Sequence, residues 1–442
     1  MSPLLFVLYL NTVVISSQET ECSGVYLNED FPNVYMLLYA DDMADIADTV
    51  GRLQYQINVL SHFCDQWGFT INTDKTKVMV FRNGGPLRRN EKFYYKGTIL
   101  DVVSFYKYLG SVFTSRLCWT ATQKTLAVQA QKAVGVIKHI ANQCGGLTPD
   151  TYFKLFDSMV LPTLLYSSEI WGHKVHQCIE LVQIKFCKYV LKVAQCTPNA
   201  AVMGECGRLP VAYHSKVRMI NYWLKILSMP NSRLPRVSYT IMVELDLAGR
   251  VTWATHVKNI LNKYGFSDVW TRQENLNAPL FLENFKLRVK DCAAQEWHAE
   301  VEANRRLGTY VRFKFDLNPE LYLNCVVGKC FKSAMARFRC SSHSLEIEIG
   351  RRTKVEVDDR LCKLCLDNGK RCVENELHFL LICPSFKNLR LKFLPKMYYQ
   401  NPCIEMLSIL LSSKNITILN GLARYIYFAM RKRLELIAEL KK

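Results

Sequence analysis

The stretch Met36-Leu37-Leu38-Tyr39-Ala40-Asp41-Asp42 decides how this sequence is read. Met36 to Tyr39 have the apolar character of a buried strand, and the chain then enters an acidic turn at Asp41 and Asp42. Two adjacent carboxylates in a tight turn repel each other, and a divalent cation relieves that repulsion. Mg²⁺ prefers oxygen ligands and is commonly held by one or two carboxylates plus substrate phosphates. Two such ions, about 3.5–4 Å apart, can activate an attacking oxygen and stabilise a leaving one in phosphoryl transfer. The plainer alternative is an Asp-rich hairpin turn, because Asp favours turns on its own account. Asp45 and Asp48 follow closely and fit an exposed strand face.

Outward from this turn the chain mixes strands and helices up to about residue 115. Residues 50–67 carry Leu53, Ile57, Leu60, Phe63 and Cys64 at helical spacing, and Gly68 ends that helix. Val78-Met79-Val80-Phe81 reads as a strand, Gly84-Gly85-Pro86 as a turn, and Phe105 to Phe113 as a strand pair broken at Gly110. Beyond residue 118 the pattern turns helical. Residues 122–140 place Leu126, Ala130, Ala133, Val134 and Ile137 on one face. Thr148-Pro149 is a helix start with Pro at the first helical position. That helix should run through Tyr152, Leu155, Phe156 and Met159 and be interrupted at Pro162. Residues 177–194 form another helical stretch, and 215 to about 310 stay mostly helical without evident chemistry. Residues 415–442 read as one helix whose apolar face holds Ile418, Leu422, Ile426 and Met430, with a basic stretch at Arg431-Lys432-Arg433.

The chain has 442 residues, room for two or three domains, and its 49% hydrophobic content with 12% aromatics is that of a globular protein. Fifty-seven Lys and Arg against 39 Asp and Glu give a net charge of +18, which favours polyanions, nucleic acid being the commonest. The apolar opening run, Pro3 to Leu10, lacks a basic leader and a small-residue cleavage site and is too short to span a bilayer. The expectation is an intracellular protein, nuclear or cytoplasmic, without membrane contact. Its 17 cysteines should then be mostly buried thiols or metal ligands, not disulfides.

Cys362-Lys363-Leu364-Cys365, His378 and Cys383 have the spacing C-x2-C-x12-H-x4-C, within the range of tetrahedral Zn²⁺ sites. Such a metal would supply folding energy to a small module. The alternative is a set of buried thiols in a cysteine-rich chain, and Cys372 is a spare that could replace a ligand. Basic residues from Arg337 to Arg352, and Arg390 beyond, suit phosphate contacts. Phe338 and Phe379 could stack on bases but are more often core, and His343 is more readily structural than a nucleic-acid contact. His173 and His176 have no evident partners.

Four segments in order resemble the palm of reverse transcriptases from non-LTR, LINE-type retrotransposons. They are Ser2 to Asn11, Met36 to Asp42, Trp67 to Asn72 continuing at Lys75 to Phe81, and Tyr106 to Phe113. Val160 to Tyr166 with Glu169-Ile170-Trp171-Gly172 is similar to the thumb segment of these elements, and Pro198 to Pro210 and the Cys/His block also resemble them. The resemblance implies an α+β fold: a partial palm (1–115) with an antiparallel hairpin, a helical thumb (116–215), a helical extension (216–320), a small zinc module (321–400) and a C-terminal helix (401–442). It implies that Asp41 ligates two Mg²⁺ ions with Asp42 as its supporting partner, and that Tyr39 packs near the primer end. Lys75 or Lys77 would approach the triphosphate, the two remaining open. Tyr106, Tyr108, Leu109 and Gly110 would hold the primer's 3′ end. The implied partners are an RNA template, a DNA primer or target, and deoxynucleotides; oligomeric state is not implied. The family's third palm carboxylate, its fingers and a Gln-Gly pair precede the segment at which this sequence starts. The expectation is therefore an incomplete RNA-directed DNA polymerase, inactive alone, from a longer reading frame or a decayed copy. The rival is a non-catalytic RNA- or DNA-binding protein.

Overall fold

The computed structural model describes residues 3–29, 31, 33–40, 42–82, 84–273 and 277–440, with only the backbone described for 3–10. The described residues are mainly helical with three small antiparallel hairpins. Two compact units divide the chain: residues 1–125, 166–174 and 215–282 form one, and 126–165, 175–214 and 283–442 the other.

In the first unit, helix Val50–Trp67 starts where the Thr49 side chain accepts from the Arg52 N–H. It ends at Gly68, whose φ of 69° suits the left-handed cap that glycine adopts without steric cost. Three hairpins accompany it: β1 (Met36–Tyr39) with β2 (Asp42–Asp45), β3 (Phe93–Tyr95) with β4 (Thr98–Leu100), and β5 (Phe105–Tyr108) with β6 (Ser111–Thr114). The β3–β4 and β5–β6 hairpins each close over two residues. Lys96 and Gly97, then Leu109 and Gly110, have positive φ at both central positions, the turn that matches strand twist. A small core gathers Ile57, Val78, Phe93, Tyr95 and Leu100.

Two strand expectations change. Val78 to Phe81 forms no strand. Val78 makes one parallel bridge to Val102, donating to the Asp101 carbonyl at 3.0 Å and accepting from the Val103 N–H at 2.9 Å. The chain then leaves, and Arg82 N–H goes to the Ser115 carbonyl instead. The second change concerns β1, which is not buried: Leu37 is 39% and Tyr39 66% exposed. Leu37 and Tyr39 on one face and Leu38 on the other are all exposed, and the described strand hydrogen-bonded to β1 is β2.

The second unit is helical. Leu126, Ala130, Val134 and Ile137 are buried along helix Thr120–Gln143. Thr148 caps helix Pro149–Leu155, with Pro149 in its first turn. The chain is not interrupted at Pro162. Residues Phe156–Val160 form a π turn and the helix resumes as Leu161–Leu164, so the irregularity precedes the proline that lacks an N–H. Helix Lys329–Arg339 packs on the long C-terminal helix Ile416–Glu439. The latter buries Leu419, Leu422, Tyr425, Ile426 and Ala429 in a core shared with Phe338, Phe379 and Phe386. Within the expected basic stretch Arg433 points inward, donating to Glu374 Oε1 at 2.7 Å.

Candidate active site and metal centre

The β1–β2 register pairs Met36 with Asp45 and Tyr39 with Asp42, so Asp42 stands at a hairpin tip. Ala40 opens the turn with φ 54°, a conformation that costs a side-chain-bearing residue about 1 kcal/mol or more. Asp41 lies outside the described residues. Asp42 is exposed at the first position of β2, and Tyr39 is exposed beside it. Asp45 departs from expectation. Its Oδ1 is buried without a hydrogen-bond partner, and burial pushes its carboxyl up to about 6. Asp48 is exposed and paired with Arg52 at 2.7 Å.

The β5–β6 hairpin carries the second group of expected residues. Its turn holds Leu109 at φ 45° and Gly110 at φ 81°, and positive φ is a true outlier for a bulky residue such as leucine. Neighbouring groups hold that backbone in place. The Tyr166 hydroxyl donates to the Leu109 carbonyl at 2.6 Å, and the Ser111 and Ser167 hydroxyls meet at 2.9 Å. The Tyr108 phenol is raised by burial first and by the charge of Asp42 second, so the two hairpins lie within electrostatic reach of each other. The Tyr106 hydroxyl donates to the Lys75 carbonyl at 2.9 Å. Asp74, Lys75, Lys77, Phe105 and Tyr106 line one open cleft of about 560 Å³. Lys77 is engaged by Asp101 at 2.6 Å, whereas Lys75 is exposed with no carboxylate partner among the described residues. Tyr166 and Ser167 are not legible in the sequence as supports of the turn; Tyr166 ends the quoted Val160–Tyr166 segment and Ser167 follows it, but the contact spans 57 residues.

The stacked pair His173–His256, 3.7 Å between ring centroids, gives His173 a partner that the sequence does not announce. His176 caps helix Gln177–Leu191, its Nδ1 accepting from the Cys178 N–H at 3.1 Å.

Cys362, Cys365, His378 and Cys383 come together, all buried, with their ligand atoms within 4.8 Å of one another. Cys365 Sγ is 3.4 Å from His378 Nε2 and 3.7 Å from Cys383 Sγ. A tetrahedral ion with Zn–S bonds of about 2.3 Å separates its sulfur ligands by about 3.75 Å, so the donor set and spacing fit Zn²⁺. Local hydrogen bonds build the cage. Cys362 N–H donates to the Cys372 carbonyl at 2.8 Å, and His378 N–H to Asn375 Oδ1 at 2.8 Å. Buried Arg390 donates to the Cys383 carbonyl. Cys372 contributes its backbone to the cage and is not among the four converging donors. Without a cation, burial pushes the Cys365 thiol up to about 11. An ion is what would make thiolates stable in this apolar enclosure.

A family model described as reverse transcriptase (RNA-dependent DNA polymerase) matches residues 1–113, the stretch that contains the β1–β2 and β3–β4 hairpins and the β5–β6 turn. This chain is a relative of the reverse transcriptases of non-LTR elements. An uncharacterized transposon-derived protein of Caenorhabditis elegans is 31% identical over 144 residues, 31% of this chain and 49% of that protein. The RNA-directed DNA polymerase from mobile element jockey of Drosophila funebris is 21% identical over 213 residues, 46% of this chain and 23% of its own length. The chain thus spans less than half the length of these relatives. Within the reverse-transcriptase match lie Tyr39, Asp41, Asp42, Lys75, Lys77 and Tyr106 to Gly110; the Cys/His centre lies beyond it. No single described helix is long and apolar enough to cross a membrane. The bent pair Ile404–Leu411 and Ile416–Glu439 passes by composition, but Leu407, Leu410, Leu419 and Leu422 are buried in the core.

Proposed function

We propose that residues 1–113 supply the metal-binding and primer-holding part of an RNA-directed DNA polymerase. The observation that carries this reading is that the exposed Asp42 at the β1–β2 tip and the β5–β6 turn held by Tyr166 both lie within the reverse-transcriptase match. In this reading Asp41 and Asp42 would hold Mg²⁺, which when bound would supply positive charge for transfer of a deoxynucleotide's α-phosphoryl group to the primer 3′ hydroxyl, with pyrophosphate as the leaving group. The oxygen-only donor and the exposure of Asp42 suit that ion. Tyr106, Tyr108, Leu109 and Gly110 position the primer end. Tyr39 packs beside it, and Lys75, rather than the ion-paired Lys77, meets the triphosphate. Cys362, Cys365, His378 and Cys383 hold Zn²⁺ in a structural role.

A second reading is that this polypeptide alone binds RNA and DNA without extending a primer. The open faces of the two-stranded β1–β2 hairpin favour it, because catalysis needs reacting groups held to within fractions of an ångström. The test is to incubate the chain with an RNA template, a labelled DNA primer, deoxynucleotides and Mg²⁺, recording binding by anisotropy and extension on a gel. Extension lost in Asp42→Asn supports the first reading. Tight, salt-dependent binding without extension supports the second. Failure to bind template–primer overturns both.

A further inference from the structure

A cavity of about 1190 Å³ in the second unit is lined by cations from three helices. Helix Thr120–Gln143 contributes Lys138, and helix Gln177–Leu191 contributes Lys185 and Lys188, with Lys192 at its cap. Helix Lys329–Arg339 contributes Lys329, Lys332 and Arg337. No carboxylate is among the lining residues. Surface cations ordinarily pair with nearby acids, so seven without one in a single concavity create a strongly positive, field-focusing site.

Four of the seven are anchored in place. Buried Lys188 donates to the Gln195 carbonyl at 2.7 Å, and Lys329 to the Gly145 carbonyl. Arg337 Nε donates to the Lys192 carbonyl at 2.8 Å, and Lys138 lies 4.7 Å over the Tyr189 ring. These bonds stiffen the walls and neutralise no charge. Lys185, Lys192 and Lys332 have no carboxylate partner among the described residues. Burial lowers the Lys188 and Lys332 ammonium groups, a cost that a bound anion would relieve. Tyr152 and Tyr189, packed edge to face at 5.8 Å, give one wall an aromatic surface.

The cavity exceeds the usual 300–1,000 Å³ of a small-molecule site. Its concavity suits a flexible strand better than a rigid duplex, and cations beside aromatic rings are the means by which proteins hold single strands. We infer that this cavity binds a short run of single-stranded RNA or DNA, its phosphates on Lys185, Lys192 and Lys332 and a base against the Tyr152–Tyr189 wall. This deepens the nucleic-acid reading and rests on it for the identity of the polyanion. The site itself is independent of the palm-like hairpins.

The test uses the full chain and a fluorescent ten-nucleotide oligouridylate, titrated at several salt concentrations. The variant Lys185→Ala/Lys192→Asn/Lys332→Gln keeps a residue tolerant of left-handed backbone at 192, where φ is 54°. Its expected effect is at least about tenfold weaker binding at low salt and a salt slope shallower by about 2, three phosphates at about 0.7 each. A control removes the same charge elsewhere: Arg288→Ala/Lys290→Ala/Lys396→Ala should weaken binding less than about threefold. Photocrosslinking of a 4-thiouridine oligomer should label peptides containing residues 185–192 or 329–337. Equal losses from both triple variants, or crosslinks confined elsewhere, overturn the proposal. So does inorganic polyphosphate of equal charge binding as tightly as the oligonucleotide. If the pocket variant loses single-strand binding while template–primer complexes persist, the pocket stands apart from the hairpins. If template–primer binding is absent yet the pocket still takes the oligomer, both readings of the proposed function fall and the pocket stands without them.

Discussion

The tip of the β1–β2 hairpin and the Cys/His centre both gather candidate metal ligands, and they are built in opposite ways. At the hairpin, Tyr39 and Asp42 are exposed and the strand before the turn is open to solvent. At the Cys/His centre all four donors are buried, and buried Phe379 and Phe386 belong to the same core. The exposed tip suits an ion that arrives with substrate, because its coordination must be completed by phosphate oxygens. The buried cage suits an ion that completes a core. The hairpin should therefore tolerate loss of its ion structurally, and the cage should not.

Metal removal tests that contrast most strongly. Structural zinc contributes on the order of 10 kcal/mol to a small module at neutral pH. Chelation, or Cys365→Ser, should abolish stoichiometric zinc and expose amides of residues 346–394 to hydrogen exchange, leaving helix Val50–Trp67 as protected as before. Unchanged protection after complete chelation would show that the four residues are merely buried thiols.

A smaller effect is expected at Arg339, which the sequence presents as one more basic residue before the cysteines. It is fully buried, donating to both oxygens of Glu205 at 2.8 and 3.0 Å and reaching Glu320 at 2.9 Å. Removing one partner of such a pair strands a buried charge, at about 3–5 kcal/mol. Urea denaturation of Arg339→Met should show that loss, and Arg339→Met with Glu205→Gln should recover a large part of it. If the double variant is no better than the single, the lost stability came from packing on the Phe313 ring, 4.6 Å away.

Arg339 also marks the limit of what the sequence discloses. The Cys/His spacing is legible because its ligands lie within 22 residues and converge through local turns. The closing of both hairpins is legible because turn residues act locally. The inward direction of Arg339 is not, because Glu205 lies 134 residues away. Arg433 likewise depends on Glu374, and Phe338 and Phe379 are core residues that take no bases. His343 is buried against Glu376 at 3.2 Å. The exposure of β1 could not be read from Met36 to Tyr39 alone, since apolar residues do not specify which strand covers them. The basic cavity draws on residues 138, 185–192 and 329–337, and no local pattern assembles those.

Asp45 sharpens the comparison through pH. Its carboxyl is pushed up by burial to about 6, against an ordinary value of 3.8. The folded state therefore holds this proton more tightly than the unfolded chain does. The associated stability is fully present below about pH 3.8 and is lost as pH rises through about 6. Asp45→Asn should be more stable than the parent at pH 7.5 by about 2–3 kcal/mol, the gain shrinking towards pH 4. Denaturation curves at the two pH values decide it, and an equal difference at both would remove ionisation as the cause.

The smallest effect is expected at the β5–β6 turn, where exposed geometry rather than burial is under strain. A Cβ at Gly110 would sit 3.0 Å from the Tyr166 ring, on a backbone whose φ is 81°. Tyr166 cannot simply swing away, because its hydroxyl holds the Leu109 carbonyl. Gly110→Ala should cost about 1–2 kcal/mol from the left-handed backbone and displace the ring. Tyr166→Phe should cost about 1 kcal/mol, the net worth of one hydrogen bond. Since both act on the same contact, the double variant should lose less than the sum of the two. A primer-holding turn adds a second readout, in which both variants weaken template–primer binding while zinc content stays at one per chain. Strict additivity, together with unchanged binding, would mean that Tyr166 supports the turn without bearing on the site.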